Sequence, residues 1–163
     1  MSTDYSEDRL IQKSAAELME TELGWTSIYA YDKEVLGENG TFGRNSFHEV
    51  LLTQRFRLAL KKLNPWINDK QIAEAIERMT ERMSSQTLMQ INEQKYQFIR
   101  DGIPVTRIKP DGTSEEIKAV VIDFENIDNN DFLCVRELWI YGALYRRRAD
   151  IVGFVNGIPL LFV

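Results

Sequence analysis

The feature that most constrains the fold of this chain is a change in the spacing of its apolar residues at Pro104. Before this proline, apolar residues recur every three or four positions, which is typical of amphipathic helices. After it, they alternate with polar residues or form short runs between turn residues, which is typical of strands. Helices followed by strands predict an α+β fold, in which N-terminal helices pack on a small mixed or antiparallel sheet.

The first two helices are predicted from capping boxes, in which a polar side chain and an acid three positions later satisfy free backbone N–H groups. Asp4 and Glu7 have this spacing and begin a helix that ends near Gly24. Ser46 and Glu49 begin the second helix. Its buried stripe is made of apolar residues at steps of four, four and three: Leu52, Phe56, Leu60 and Leu63.

Two further helices follow before Pro104. Asn68 and Gln71 begin the third, and Ser84 or Ser85 begins the fourth, which ends at Gly102. Four apolar residues of the fourth helix are predicted to face inward: Leu88, Ile91, Phe98 and Ile99.

Two shorter elements lie between the first and second helices. Residues 25–31 alternate and are rich in aromatic side chains, so we predict a short strand. Residues 37–43 are rich in glycine but lack the Gly-Lys-Ser/Thr ending of a phosphate-binding loop, so we predict a linker.

The second part of the chain predicts a strand meander. Strands are expected at residues 105–108, 117–124, 132–140, 145–155 and 158–163. Asp111-Gly112 and Asn156-Gly157 are strong turn signals, and the second predicts a two-residue hairpin. We expect one domain over residues 1–163. Because the chain stops inside an apolar strand, we also expect it to be a fragment of a longer protein, truncated within a core strand.

Composition excludes several classes of protein. With 20 Lys and Arg residues against 25 Asp and Glu residues, the net charge is −5, so the chain as a whole does not attract nucleic acid by bulk charge. The single cysteine, Cys134, and the single histidine, His48, cannot form a disulfide or, by themselves, a structural zinc site. No apolar run approaches the roughly 20 residues of a membrane helix, and we expect a cytoplasmic protein.

The strongest candidate for chemistry is Asp150, which lies in the otherwise apolar end of the segment Arg-Arg-Arg-Ala-Asp-Ile-Val-Gly-Phe-Val. An unpaired charge is costly to bury, so a carboxylate in such a strand needs compensation. A divalent metal ion is one source of compensation. The alternative is an ion pair with Arg147 or Arg148.

Arg146, Arg147 and Arg148 immediately precede this carboxylate. In a strand, two of them share one face and the third lies on the other. They are candidates for phosphate contacts with DNA. The alternative is a solvated strand whose surface ion pairs contribute little.

Residues 148–152, Arg-Ala-Asp-Ile-Val, followed by Asn-Gly-Ile-Pro-Leu at 156–160, resemble the nuclease core of the restriction subunit of type I restriction enzymes. The run Phe-Ile-Arg-Asp-Gly-Ile-Pro-Val at 98–105, Ile-Asp-Phe at 122–124 and Leu-Gly-Trp at 23–25 are weaker matches in the same order. Ala149 departs from the family, which commonly has proline at this position.

The resemblance implies a restriction-endonuclease-like domain with an Asp…Glu-x-Lys motif that binds Mg²⁺. Asp150 is then a catalytic residue and a metal ligand, and Glu and Lys are expected at the first and third positions after Val163. Glu7 is a further candidate metal ligand, with a helix-start charge as the alternative. The fragment by itself is expected to be inactive.

The implied parent is an ATP-driven enzyme that cleaves double-stranded DNA together with methylation and specificity subunits. The truncated strand could also pair with a second copy at its edge. The alternative function is a non-catalytic protein- or DNA-binding module with a nuclease-like fold.

The spacing of the implied motif can be examined physically. A strict two-residue hairpin at Asn156-Gly157 sets Asp150 opposite Val163, so the residue after Val163 would lie on the other face. Two carboxylates that share a metal therefore require an irregularity in the hairpin. We predict one, marked by Gly153 or Pro159.

Overall fold

The structure, a computed structural model, describes residues 7–81 and 85–163, with side chains described from Leu10 onward. The chain divides into two compact units, and each is described by itself. The first unit comprises residues 1–54 and 131–163, and the second comprises residues 55–130. The single domain expected over residues 1–163 stays a prediction.

The order of elements confirms the predicted α+β class, with helices first and most strands afterwards. In chain order the elements are α1 (Glu7–Thr21), β1 (Thr26–Tyr29), α2 (Thr53–Leu63), α3 (Asp69–Thr80), α4 (Leu88–Asp101), β2 (Ile103–Ile108), β3 (Ser114–Ala119), a 3₁₀ turn (Ile127–Asn129), β4 (Phe132–Tyr141), β5 (Arg146–Val155) and β6 (Ile158–Phe162). None of the helices in the described ranges is long and apolar enough to cross a membrane.

The first unit is built on a four-stranded mixed sheet in the order β1-β4-β5-β6. β1 runs parallel to β4, whereas β4, β5 and β6 are antiparallel neighbours. The predicted hairpin joins β5 to β6, with Val155 paired to Ile158. Asn156 (φ +53°) and Gly157 (φ +80°) are both left-handed, as a type I′ turn requires.

Apolar side chains cover both faces of this sheet. One face carries a core cluster of eight buried residues: Ala30, Phe42, Leu52, Leu133, Val135, Leu138, Val152 and Phe154. The other face carries a smaller cluster in which Ala16 of α1 packs on Cys134 and Ile151. The central strands β4 and β5 are therefore buried from both sides.

The glycine-rich segment at residues 37–43 connects β1 to α2 without a helix or strand of its own, and it contributes one side chain to this core. Phe42 is buried in the larger cluster, and Arg44 just beyond is 1% exposed. The backbone N–H of Gly37 donates to the carbonyl of Arg44, which closes the loop. The segment is ordered by burial of these two side chains, a long-range effect that its composition does not reveal.

In the second unit, α3 packs on β2, which forms a two-stranded antiparallel sheet with β3. α3 begins with the predicted capping box, since Asn68 accepts from the N–H of Gln71 and the Gln71 side chain accepts from Asn68. The Gln71 amide also donates to the carbonyl of Thr106 in β2. Glu74 accepts from the N–H of Thr106, so one helix face is tied to the strand by hydrogen bonds.

Two predicted helix starts were wrong. α2 begins at Thr53, because Ser46 and Glu49 form a turn in which the Glu49 carboxylate accepts from the N–H of Asn45. The stripe is otherwise confirmed, since Phe56 and Leu60 of α2 and Leu52 just before it are fully buried, and Leu63 is partly buried.

The fourth helix is capped by Thr87, whose capping-box partner is Gln90, and not by a serine. Ser84 lies outside the described residues. Leu88 is 80% exposed, contrary to its predicted inward position, whereas Phe98 is buried as predicted. The helix ends at Gly102, as expected, with a positive φ of +93°.

The predicted strand at residues 117–124 is shorter than expected. β3 ends at Ala119 because the side chain of Asn64 accepts from the N–H of Val120 and donates to its carbonyl, replacing a strand partner. Asp123 consequently lies in a loop.

Candidate functional site

Asp150 lies near the middle of β5, a central strand of the first unit. Its side chain is exposed, although the five residues that follow it are all buried. Within the described part of the chain, the Asp150 side chain has no hydrogen bond or ion pair, so the alternative of a pair with Arg147 or Arg148 is not found there. The strand therefore presents a free carboxylate directly beside an apolar core.

The predicted irregularity lies in the β5–β6 hairpin. Phe154 pairs with Pro159, but Gly153 pairs with Leu161, so Leu160 is an extra residue on β6. Both predicted markers flank this bulge. Gly153 has a second role, because a Cβ there would lie 2.9 Å from the ring of Trp25 and 3.0 Å from Cβ of Leu161.

The bulge changes what lies opposite Asp150. Beyond it, Val152 pairs with Phe162, and Ile151 exchanges two backbone hydrogen bonds with Val163, of 3.1 and 3.0 Å. The next step of this register sets Asp150 opposite the position after Val163. Without Leu160 as an extra residue, Asp150 would have faced Val163 itself.

The three arginines before Asp150 are exposed and lie over aromatic rings. Arg146 is 4.8 Å from the ring centre of Tyr141, and Arg147 is 5.8 Å from that of Tyr145. Such cation–π contacts restrict long side chains without neutralising their charge. These two guanidinium groups make no ion pair with any acid in the described ranges.

Arg148 differs from its two neighbours. It lies over the rings of Tyr31 and Trp139, at 5.0 and 5.8 Å, and forms an ion pair with Glu137. The charge of Arg148 is therefore paired with a carboxylate of the sheet.

Glu137 was not singled out in the sequence, although it is one of few buried charged residues of the structure, at 6% exposure. The signal was available in the spacing of β4, where the apolar residues Val135 and Leu138 are three positions apart and not two. That interruption of strand periodicity coincides with Glu137.

Two further carboxylates were considered from the sequence, Glu7 and Asp123. Glu7 begins α1, but its side chain lies outside the described part of the structure. Asp123 accepts from the backbone N–H groups of Glu125 and Asn126 and from the Asn129 side chain, and so shapes its own loop. Those bonds, with the Asn126 backbone first, hold the pKa of Asp123 below its usual value.

A complete metal site is not formed by the residues that the structure describes. Among them, no group of three or more His, Cys, Asp or Glu side chains is arranged to hold a metal ion. Asp150 offers one carboxylate, which is a suitable donor for Mg²⁺ but needs further ligands.

Comparison with known proteins defines the class. The model of the family "Type I restriction enzyme R protein N terminus" matches residues 4–163, so the chain belongs to this family. The type I restriction enzyme HindI endonuclease subunit of Haemophilus influenzae is 31% identical over 141 residues, which is 85% of this chain.

A second relative, from Methanocaldococcus jannaschii, is 27% identical over 158 residues, or 95% of this chain. It carries a provisional name as a type I restriction enzyme endonuclease subunit. The chain spans 13% and 14% of the lengths of these two relatives. It thus corresponds to the N-terminal part of a restriction subunit.

Proposed function

We propose that this chain supplies the first half of the DNA-cleaving site of a type I restriction enzyme, with Asp150 as its catalytic carboxylate. The observation that carries the proposal is the register of the β5–β6 hairpin. Through the bulge at Leu160, that register sets Asp150 opposite the first position after Val163. The family resemblance expects a glutamate at that position, and cross-strand neighbours share one face of a sheet.

The proposed reaction is hydrolysis of a phosphodiester bond assisted by Mg²⁺. Asp150 and the expected glutamate would hold the ion, which would polarise the phosphate and supply an activated water. Mg²⁺ commonly uses one or two carboxylates together with waters and phosphate oxygens, so a single exposed carboxylate on β5 suits one ligand position. The expected lysine, two residues further on, would stabilise charge on the phosphate.

We also propose that double-stranded DNA passes beside Arg146 and Arg147. Their exposed guanidinium groups precede Asp150 by four and three residues on the same strand. Because the chain carries a net charge of −5, a local cationic strand is the means by which it could hold a polyanion. Arg148 is better described as a structural residue, since it pairs with Glu137.

The wider assembly is proposed from the family. The parent would use ATP to move DNA and would work with methylation and specificity subunits, as the restriction subunit of a type I system. The restriction-endonuclease-like core belongs to the same proposal. The pairing of Arg148 with Glu137 supports a nuclease over a non-catalytic module, because it leaves the Asp150 carboxylate free within the described residues.

The test compares two lengths of chain on supercoiled plasmid DNA. The 163-residue chain should not nick DNA with Mg²⁺, whereas the chain extended through the next coding residues should nick it. Asp150→Asn in the extended chain should abolish nicking, and Asp123→Asn should not.

Two outcomes would contradict the proposal. One is Mg²⁺-dependent nicking by the 163-residue chain itself, whether or not Asp150→Asn abolishes it. The other is a coding sequence without an acidic residue directly after Val163, which would favour the non-catalytic binding module.

A further inference from the structure

Glu137 and Asp150 lie opposite each other on neighbouring strands. The register pairs Arg136 with Ile151 and Leu138 with Ala149. Glu137 and Asp150 lie between these two pairs and therefore face each other across the strands. Glu137 has a φ of +58°, within a strand whose other residues are extended. A side chain in this left-handed conformation crowds its own backbone, which is why glycine and asparagine are favoured there.

The alternation of side chains between the two faces of the sheet is interrupted at this position on both strands. In β4 the residues of the larger core cluster are Leu133 and Val135 and then Leu138, three positions later. In β5 they are Phe154 and Val152, and the next residue packed against the cluster is Ala149, again three positions away.

These two interruptions determine the direction of the Asp150 side chain. Regular alternation from Val152 would turn Asp150 toward Leu138 and Phe154, within the apolar cluster. With alternation interrupted, Ala149 packs against the larger cluster, and Ile151 packs with Cys134 on the other face. Asp150, between them, is exposed.

The side chain of Glu137 is held in place. It is buried, and it pairs with Arg148, which in turn lies over Tyr31 and Trp139. An unfavourable backbone conformation persists only where surrounding contacts fix it, and such residues cluster at functional sites. Here the contacts come from the strand that carries Asp150.

We infer that Glu137 is a positioning residue, whose left-handed backbone turns the Asp150 carboxylate out of the larger apolar cluster and into solvent. This inference rests on the proposed function only for the catalytic role of Asp150. The orientation itself is a property of the described strands. It predicts that residues able to adopt a positive φ can replace Glu137, and that β-branched residues cannot.

The experiment uses thiol labelling at position 150 in the 163-residue chain. Asp150→Cys should react rapidly with an uncharged maleimide. The native Cys134 should stay unlabelled, because it is fully buried and its burial raises the pKa of the thiol. Labelling of Cys134, seen by mass spectrometry, therefore reports unfolding.

Adding Glu137→Val should slow labelling at position 150 by about tenfold or more, since the thiol turns inward. Glu137→Gly and Glu137→Asn should restore the rapid rate. Glu116→Val is the matched control, an exposed strand position of the second unit, and should leave the rate unchanged. If the valine variant unfolds, Glu137→Ala against Glu137→Gly makes the same comparison with less crowding.

Equal labelling rates in the valine, alanine and glycine variants would overturn the inference. So would slow labelling in all of them, because that result would assign the orientation to the Glu137 carboxylate and not to its backbone. Labelling needs neither metal nor DNA. A chain that fails to cleave DNA but shows these rates would refute the proposed function alone.

Discussion

Arg44 and Glu34 are joined by two parallel hydrogen bonds with their side chains only 1% and 2% exposed. Nε of Arg44 lies 2.5 Å from Oε1 of Glu34, and Nη2 lies 2.7 Å from Oε2. Arg44 also donates to the carbonyls of Glu49 and Trp139. One guanidinium thus ties the long segment between β1 and α2 to strand β4.

Removal of this arginine should destabilise the protein strongly. Arg44→Met leaves the Glu34 carboxylate buried without its partner, which typically costs about 3–5 kcal/mol of unfolding free energy. The double variant Arg44→Met/Glu34→Leu should recover much of that loss, because it removes both charges. Urea unfolding measures each value.

The exposed pair of Lys13 and Glu17 is the control for that series, with side chains 66% and 59% exposed. Lys13→Met should change the unfolding free energy by less than about 0.5 kcal/mol. A similar loss of unfolding free energy in Lys13→Met and Arg44→Met would contradict the view that burial of the Arg44–Glu34 pair makes its disruption costly.

Gly153→Ala should destabilise the first unit through overpacking. The new Cβ would lie 2.9 Å from the ring of Trp25 and 3.0 Å from Cβ of Leu161, so a partly buried ring must move. Forcing an extra methyl group into a packed core typically costs about 1–3 kcal/mol. Thermal unfolding should show a lower midpoint for this variant.

Gly142→Ala is the control for overpacking, because its nearest neighbour would be the carbonyl oxygen of Tyr145 at 3.4 Å. Its midpoint should stay close to that of the parent chain. An unchanged midpoint in Gly153→Ala would mean that Trp25 does not pack against the β5–β6 bulge.

The loop around Asp123 should make stability depend on pH in the acid range. Hydrogen bonds from Asn126, Asn129 and Glu125 hold the pKa of Asp123 below its usual value. A carboxyl group with a lower pKa in the folded state stabilises that state above the unfolded pKa, near 4. The contribution is lost as the pH falls through the folded pKa.

Asp123→Asn should therefore be less stable than the parent chain at pH 6, and the difference should shrink below about pH 4. Urea unfolding at a series of pH values measures it. Asp128→Asn, an exposed change in the same loop, is the control. A difference that is constant with pH would show that Asp123 acts through its shape and not its charge.

Arg147 should contribute to binding of double-stranded DNA in the extended chain. Arg147→Gln should weaken binding and reduce the slope of log affinity against log salt concentration by about 0.9 for one phosphate contact. Arg107→Gln is the control, because Arg107 pairs with Glu115 in the second unit. Equal salt slopes for Arg147→Gln and the parent chain would remove Arg147 from the DNA contact.

Local signals in the sequence were sufficient for the elements that use local contacts. The Asn156-Gly157 hairpin, the Asn68 cap and the end of α4 at Gly102 all depend on residues within a few positions. The bulge was also predictable, because the implied motif and the hairpin spacing differed by one residue.

Elements fixed by distant partners were not predictable in the same way. Ser46 and Glu49 have capping-box spacing, yet Arg44, which donates to the Glu49 carbonyl, is itself held by the distant carbonyl of Trp139. Strand β3 ends early because Asn64, more than fifty residues away, replaces its partner at Val120. In both cases the decisive hydrogen bond joins residues whose proximity only the folded chain establishes.

The same distinction applies to the candidate site. Asp150 could be selected because its charge is anomalous in an apolar strand. Glu137 does not stand out in that way, because it follows another charged residue, Arg136, and its signal is limited to the three-residue spacing of Val135 and Leu138. Its importance comes from the backbone angle and from its position across from Asp150.

The extra residue Leu160 has a consequence for comparing this chain with its relatives. A single deletion between Gly157 and Phe162 would leave the composition of β6 nearly unchanged, yet every later side chain of that strand would move to the opposite face. Alignment gaps in this short interval are therefore not neutral. A relative that lacks one residue here should be expected to have lost the geometry of the hairpin even where all its characteristic side chains are present.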